Sequence, residues 1–228
     1  MPVSLNELTA ELNNLLKPEQ FNDYCPNGLQ VEGRKEVTKI VSGVSACRAL
    51  IKAAVAAKAD FILVHHGYFW KGENQCITGL KKSRIQMLLQ NDLSLSAYHL
   101  PLDAHAELGN NAQLAKILEL NVGSPLDAEQ RNPIVFCGRL NQPMSFYSFS
   151  QHLNKRLKSV PLSTRGASQK IAEIGCSTGA AQNFIELAVG VGVDAYLTGE
   201  VSEQTVHIAR EAGLHFFSAG HHATERYG

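Results

Sequence analysis

Leu5, Leu8, Leu12, Leu15 and Leu16 fall on one face of a helix, and Ser4-Leu5-Asn6-Glu7 at its start has the form of a capping box. A helix of roughly three turns, closed by Pro18, is therefore predicted. Val37 to Ser45 (VTKIVSGVS) reads as a strand and the Ala-rich stretch Ala46 to Ala59 as a helix. Phe61 to Val64 reads as a short buried strand, because four apolar residues stand between Asp60 and His-His-Gly. A helix over 80–91, a strand over 93–98 and a helix over 110–119 continue the alternation, which is α/β order. Beyond Leu126 the pattern becomes strand (PIVFCGRL), helix (SFYSFSQHLNKRLK) and strand (KIAEIGCS). Ala180 to Val189, Ala195 to Thr198, Ser202 to Ala212 and Leu214 to Ser218 then alternate again. The Asn-, Gly-, Pro- and Asp-rich stretch 121–132 marks a boundary, giving lobes 1–125 and 126–228 that can also be counted as one domain, 1–228.

The two halves echo each other. Ala54-Val55 followed by Asp60-Phe61-Ile62-Leu63-Val64-His65-His66 aligns without a gap on Ala188-Val189 followed by Asp194-Ala195-Tyr196-Leu197-Thr198-Gly199-Glu200, which sets His66 opposite Glu200. The match fits a duplicated unit, and equally the common sequence of Ala-rich helix, Asp and apolar strand. In either case both strands end in polar groups at their carboxyl ends, where open parallel sheets place ligands.

Composition narrows the chemistry. The 228 residues carry 21 basic and 21 acidic side chains without a block of like charge, so there is no electrostatic footprint for nucleic acid or an anionic membrane. No apolar run is long enough to span a bilayer, and the N-terminus is polar and periodic, so a cytoplasmic location is expected. Five scattered cysteines, none in a C-x-x-C pair, fit reduced thiols and leave any metal to nitrogen and oxygen ligands.

Three strand ends carry those ligand types. FILVHHGYFW (61–70) brings His65 and His66, YHLPLDAH (98–105) brings His99, Asp103 and His105, and SAGHHATER (218–226) brings His221, His222 and Glu225. His221 and Glu225 are spaced i, i+4, so on a helix they share a face and can bind one ion. Singly, each has a plainer reading: a core-packed ring, a helix cap at Asp103, a solvated carboxylate at Glu225. Six of nine histidines gathered at three strand ends favour convergence on a common site. Tyr68, Phe69 and Trp70 can stack on a heterocycle or serve as packing or a subunit contact. CSTGAAQNF (176–184) lacks the ending of a phosphate-binding loop.

VHHGYFW at 64–70, HLPLDAHAELGNNAQLA at 99–115, YLTGEVSEQTVHIARE at 196–211, AGHHATER at 219–226 and PNGLQVEG at 26–33 resemble the YbgI or NIF-three-like proteins, also known as GTP cyclohydrolase type 2 homologues. The resemblance runs nearly end to end and is weakest over about 124–170. It implies two interlocked, pseudo-symmetry-related α/β lobes, a toroidal homohexamer built as a trimer of dimers, and a dinuclear metal centre. Carried over residue by residue, the implied ligands are His65, His66, Asp103, His221 and Glu225. Glu225 would bridge the ions, one of which takes a VHHG histidine and Asp103, the other the second VHHG histidine and His221. Members of the family usually run on past GHHATER, whereas Gly228 follows Glu225 by three residues, which leaves the turn that carries Glu225 open to fraying unless packing holds it.

Mixed imidazole and carboxylate ligation suits two divalent ions of iron, zinc, manganese or nickel without choosing among them. His99 and Glu200, placed at strand ends, are candidates for proton transfer or for bracing the ligands, with ordinary core hydrogen bonding as the alternative. Two function classes follow. One is a metal-dependent hydrolase of the GTP cyclohydrolase type 2-like class, opening a cyclic amide or amidine of a small heterocyclic or nucleotide substrate with a metal-bound hydroxide. The other is a non-catalytic metal-binding, metal-handling or scaffold ring.

Overall fold

A computed structural model describes residues 1–228. β1 (Val3–Ser4) leads into α1 (Leu5–Leu16), where the capping box forms: the Ser4 hydroxyl accepts from Glu7 N–H at 3.1 Å and the Glu7 carboxylate accepts from Ser4 N–H at 3.2 Å. The chain continues through β2 (Gly28–Val31), β3 (Glu36–Val37), β4 (Ile40–Ser45), α2 (Arg48–Ala56), β5 (Phe61–His66), α3 (Gly79–Gln90), β6 (Ser94–Ala97) and α4 (Leu100–Ala104). Then come α5 (Asn110–Ile117), β7 (Leu120–Pro125), β8 (Phe136–Met144), α6 (Phe146–Leu157), β9 (Leu162–Thr164), β10 (Ile171–Cys176) and α7 (Ile185–Val191). The remainder is β11 (Ala195–Thr198), α8 (Glu203–Glu211), β12 (His215–Ser218) and α9 (His221–Glu225). No helix is long and apolar enough to cross a membrane.

The compact units are Met1–Leu102 and Asp103–Gly228. Residues 103–125, expected with the first lobe, belong with the second. β7 pairs with β8, and Leu114, Ala115 and Leu118 pack in one cluster with Phe136, Phe149 and Ile174. The Asn- and Gly-rich boundary stretch thus begins with an edge strand. Only Leu120 of β7 is buried, so the strand shows none of the alternation by which a half-buried strand is read from sequence. The antiparallel edge strands β2 and β9, of four and three residues, are too short for an alternation to show.

Within each unit the same sheet recurs. The order β2-β6-β5-β4 has β4, β5 and β6 parallel with β2 antiparallel at the edge. In β9-β12-β11-β10 the three higher-numbered strands are parallel with β9 antiparallel, and β8 and β7 extend the far side. The likeness reaches single bonds. Asp60 Oδ2 accepts from the N–H groups of Thr38 (2.8 Å) and Lys39 (2.9 Å), and Asp194 Oδ2 accepts from those of Ala172 (2.8 Å) and Glu173 (3.0 Å). Gly33 N–H donates to the side chain of Ser94, and Gly166 N–H to that of His215, at the starts of β6 and β12. The gapless echo between the two halves is therefore a repeated supersecondary unit, in which one aspartate ahead of the middle strand staples the start of its parallel neighbour.

The second unit's sheet is buried on both faces, and strand alternation sorts its aromatics. Tyr196 and Phe216 join the cluster with Ile185 and Ala209, while Leu197 and Phe217 join the one with Phe149 and Ile174. In the first unit Ile51, Ile62, Leu88 and Leu95 form the corresponding core.

Asp60 also takes Arg34 Nη1 at 2.8 Å. Burial pushes its carboxyl up, but the Thr38 and Lys39 N–H groups and Arg34 together outweigh that and hold it below the usual carboxylate range. A depressed native pKa adds stability above the unfolded value of about 3.9, lost as pH falls through the native one. Asp60→Ala strands these donors and is expected to cost on the order of 3 kcal/mol near neutral pH, with a smaller difference from wild type below about pH 3. Urea midpoints at the two pH values measure it.

Candidate metal centre

In the first unit the histidines gather where β5 and β6 end. His65 is 2% exposed, and its Nδ1 lies 2.9 Å from the carbonyl of Tyr98. A carbonyl only accepts, so Nδ1 donates to it and the ring's orientation is fixed. His66 sets Nδ1 3.3 Å from Ser45 Oγ. Adjacent strand residues should point to opposite faces, yet the two rings are 4.4 Å apart, because the strand ends at His66. The Gly67 that follows is required for close packing: a Cβ there would lie 2.2 Å from Gln30 Oε1 and 2.6 Å from Ala97 Cβ.

His99, one residue beyond Tyr98, places its ring centre 5.1 Å from that of His65 and 5.7 Å from that of His66. One nitrogen of each of the three rings lies within 4.8 Å of the others. Nδ1 of His99 is 2.7 Å from Asp23 Oδ1, and Asn27 Oδ1 accepts from His99 N–H at 2.7 Å. Gln30, three residues on, accepts from Tyr68 N–H at 2.7 Å and donates to the Pro26 and Tyr68 carbonyls. The PNGLQ stretch is therefore a brace for His99 on one side and for the His-His-Gly turn on the other. The aromatics divide: Tyr68 is buried with its hydroxyl on the Ala46 carbonyl, whereas Trp70 stands edge-on at 4.9 Å from His99.

In the second unit, β12 ends at Ser218 and α9 carries His221 and Glu225 on one face. His221 is clamped by two carboxylates, Nδ1 at 2.6 Å from Glu200 Oε1 and Nε2 at 3.0 Å from Glu225 Oε2. Hydrogen bonding to Glu225, reinforced by Glu200, overcomes burial and pushes the imidazole up to about 9. The turn that carries Glu225 is held rather than frayed. Glu225 is 5% exposed, and the buried Thr224 hydroxyl donates to backbone carbonyls of the same turn while accepting from Gly179 N–H at 3.1 Å.

Gly179 adopts φ +66°, and a Cβ on it would lie 2.0 Å from Glu225 Oε1. Its neighbour Thr178 donates its hydroxyl to Asp103 Oδ1 at 3.3 Å, beside the Asn110 amide at 2.9 Å. Asp103 and Glu225 each offer an oxygen within 4.8 Å of the other. CSTGAAQNF thus orients one carboxylate and clears space for another. Its small residues carry no recognisable signal for that role, which depends on where β10 ends. Asp23 likewise gives no signal in the sequence, because it belongs to no strand end. His222 is exposed, as expected of the residue on the opposite face of α9.

A cavity of about 400 Å³ opens beside Asp103, walled by Val122, Ile134 and Phe136. His105 stands at its rim, with Nδ1 accepting from the N–H groups of Glu107 (3.2 Å) and Leu108 (3.1 Å), so its proton is on Nε2.

The donor sets fit a divalent metal. They are imidazoles fixed through Nδ1 by oxygen partners, and hydrogen-bonded carboxylates. Burial, then the Asp23 charge, pushes the thiol of the nearby Cys25 up to about 12.

A Pseudomonas aeruginosa protein named GTP cyclohydrolase 1 type 2 homolog is 55% identical over 228 residues, spanning all of this chain and 90% of that protein. A Haemophilus influenzae protein of the same name is 53% identical over 97% of this chain and 88% of its own. Among solved structures, the protein ybgI superposes with a TM-score of 0.95 at 48% identity, over 99% of this chain and 90% of that one. A Thermus thermophilus protein does so at 0.86 and 33%, with the same coverage. The match to the Duf34/NIF3 (NGG1p interacting factor 3) family covers residues 3–228, and the chain belongs to that family.

Proposed function

We propose that this protein is a metal-dependent hydrolase that opens a cyclic amide or amidine of a small heterocycle, with the GTP in its relatives' names as the first substrate to test. The observation that carries this reading is the gathering of ligand-type side chains at strand ends: His65, His66 and His99 each offer a nitrogen within 4.8 Å of the others, and Asp103 and Glu225 each offer an oxygen within 4.8 Å of the other. His65, His66, Asp103, His221 and Glu225 would hold two divalent ions, with Glu225 shared between them. When bound, such ions polarise the scissile group and acidify water.

The chain's own residues supply the rest. Asn110 and Thr178 fix the Asp103 carboxylate, so that it need not reorganise. Glu200 braces His221 through Nδ1 and, with His99, would hold a proton during ring opening. The cavity beside Asp103 has apolar walls suited to a flat ring, and the His105 Nε2–H at its rim can donate to a ring carbonyl.

Elemental analysis of protein purified without chelator, followed by a product screen with GTP, pterins and cyclic amides, tests the proposal. Close to two equivalents of transition metal and turnover abolished by chelation are expected. Under half an equivalent after reconstitution overturns the centre, whereas full loading with no turnover across the screen favours a metal carrier or scaffold. A homohexameric ring is part of the same proposal, and light scattering checks it.

A further inference from the structure

The pair formed by Asp23 and His99 belongs to neither the ligand set nor the core. Asp23 has a side chain only 3% exposed, and four donors converge on its carboxylate: Tyr24 N–H (2.6 Å) and His99 Nδ1 (2.7 Å) on Oδ1, Asn27 Nδ2 (2.8 Å) and Leu100 N–H (2.9 Å) on Oδ2. Burial alone would push this carboxyl up, but the hydrogen bonds from His99, Asn27 and Leu100 outweigh it and hold the group below the usual range, so it is a carboxylate that only accepts. His99 must then donate through Nδ1, which in the neutral imidazole leaves Nε2 with a lone pair. Asn27 fixes the backbone of His99 as Asp23 fixes its ring, and Trp70 closes over the ring edge. This ring therefore has a set tautomer and a set plane among the His65 and His66 imidazoles. A histidine that served packing alone would need neither.

We propose that Asp23 is a positioning residue: it holds His99 as the Nδ1–H tautomer and presents His99 Nε2, beside His65 and His66, as a hydrogen-bond acceptor for the water or substrate N–H that the centre binds. What that acceptor meets rests on the hydrolase reading, whereas the pairing itself stands on the geometry of the first unit. In this arrangement His99 is not a ligand. Its removal leaves the metal in place, and its acceptor nitrogen steers the group that approaches.

The test uses the full chain labelled with 15N-histidine and loaded with Zn2+, or metal-free if none binds, with His99 assigned by comparison with H99Q. Long-range 1H–15N spectra of wild type should show the His99 proton on Nδ1. D23N should move it wholly or partly to Nε2, because an amide at this position can itself donate, and D23E should restore it. A wild-type proton on Nε2, or a tautomer unchanged in D23N, overturns the inference. Zn2+ content separates positioning from ligation: D23N and H99Q should keep the wild-type stoichiometry with affinity within a few-fold, and loss of an ion from either overturns the acceptor role. If wild type binds no Zn2+, the hydrolase reading falls while the tautomer spectra still decide the pairing. If wild type binds two ions and the tautomer is wrong, only this inference falls.

Discussion

Gly179→Ala is expected to disable the candidate centre although residue 179 donates no ligand atom. Its Cβ would stand 2.0 Å from Glu225 Oε1, far inside van der Waals contact, and 3.3 Å from His221 Nε2. The turn that carries Glu225 is latched through Thr224 to the backbone of Gly179 itself, so the added methyl group is met by the Glu225 side chain, whose carboxylate must turn away from its position. The left-handed φ of +66° adds backbone strain of about 1–2 kcal/mol. Gly72→Ala is the matched control, because Gly72 has φ +88° and a methyl group on its Cα would meet nothing within 4 Å. Metal titrations should show affinity reduced by about 100-fold or more in Gly179→Ala, roughly the 3 kcal/mol expected when a carboxylate ligand is displaced, and unchanged in Gly72→Ala. Both variants should lose some thermal stability. Equal metal affinity in the two variants would mean that Glu225 does not hold the metal.

The second large effect separates the two buried carboxylates. If Glu225 is shared by two ions, Glu225→Gln should leave less than half an equivalent of metal, because a neutral amide offsets neither charge. Asp103→Asn should leave about one equivalent, since it removes a ligand from one ion only, and Asn110 and Thr178 remain to hold the side chain. Two equivalents retained by Glu225→Gln would overturn the bridging role, and equal losses in both variants would overturn the division of ligands. Each measurement reads stoichiometry directly and requires no substrate.

Much of this is legible in the sequence because it depends on local periodicity. α1 with its capping box, the Ala-rich α2, the apolar β5 and the alternation of strands and helices follow from side-chain spacing and from the intrinsic signals of Ser, Pro and Gly. Chemistry at the strand ends is legible for the same reason, since a parallel strand delivers whatever follows its last apolar residue to the sheet's carboxyl edge. The echo of Asp60 in Asp194 is visible as well, though as two aspartates before two strands rather than as two staples.

What only the tertiary structure decided are the features that depend on residues distant in sequence. β7 goes with the second unit because it pairs with β8, and its single buried residue carries no alternating pattern to announce that partner. Thr178, Gly179 and Asn110 look like loop filler until the fold sets them against Asp103 and Glu225. Asp23 reaches His99 across 76 positions of chain, and no local pattern encodes a carboxylate aimed at a ring so far away. Spacing can tell which residues share a face, but the orientation of a ring, and with it which nitrogen is free to bind, is fixed by hydrogen bonds that exist only once the sheet has brought the strand ends together.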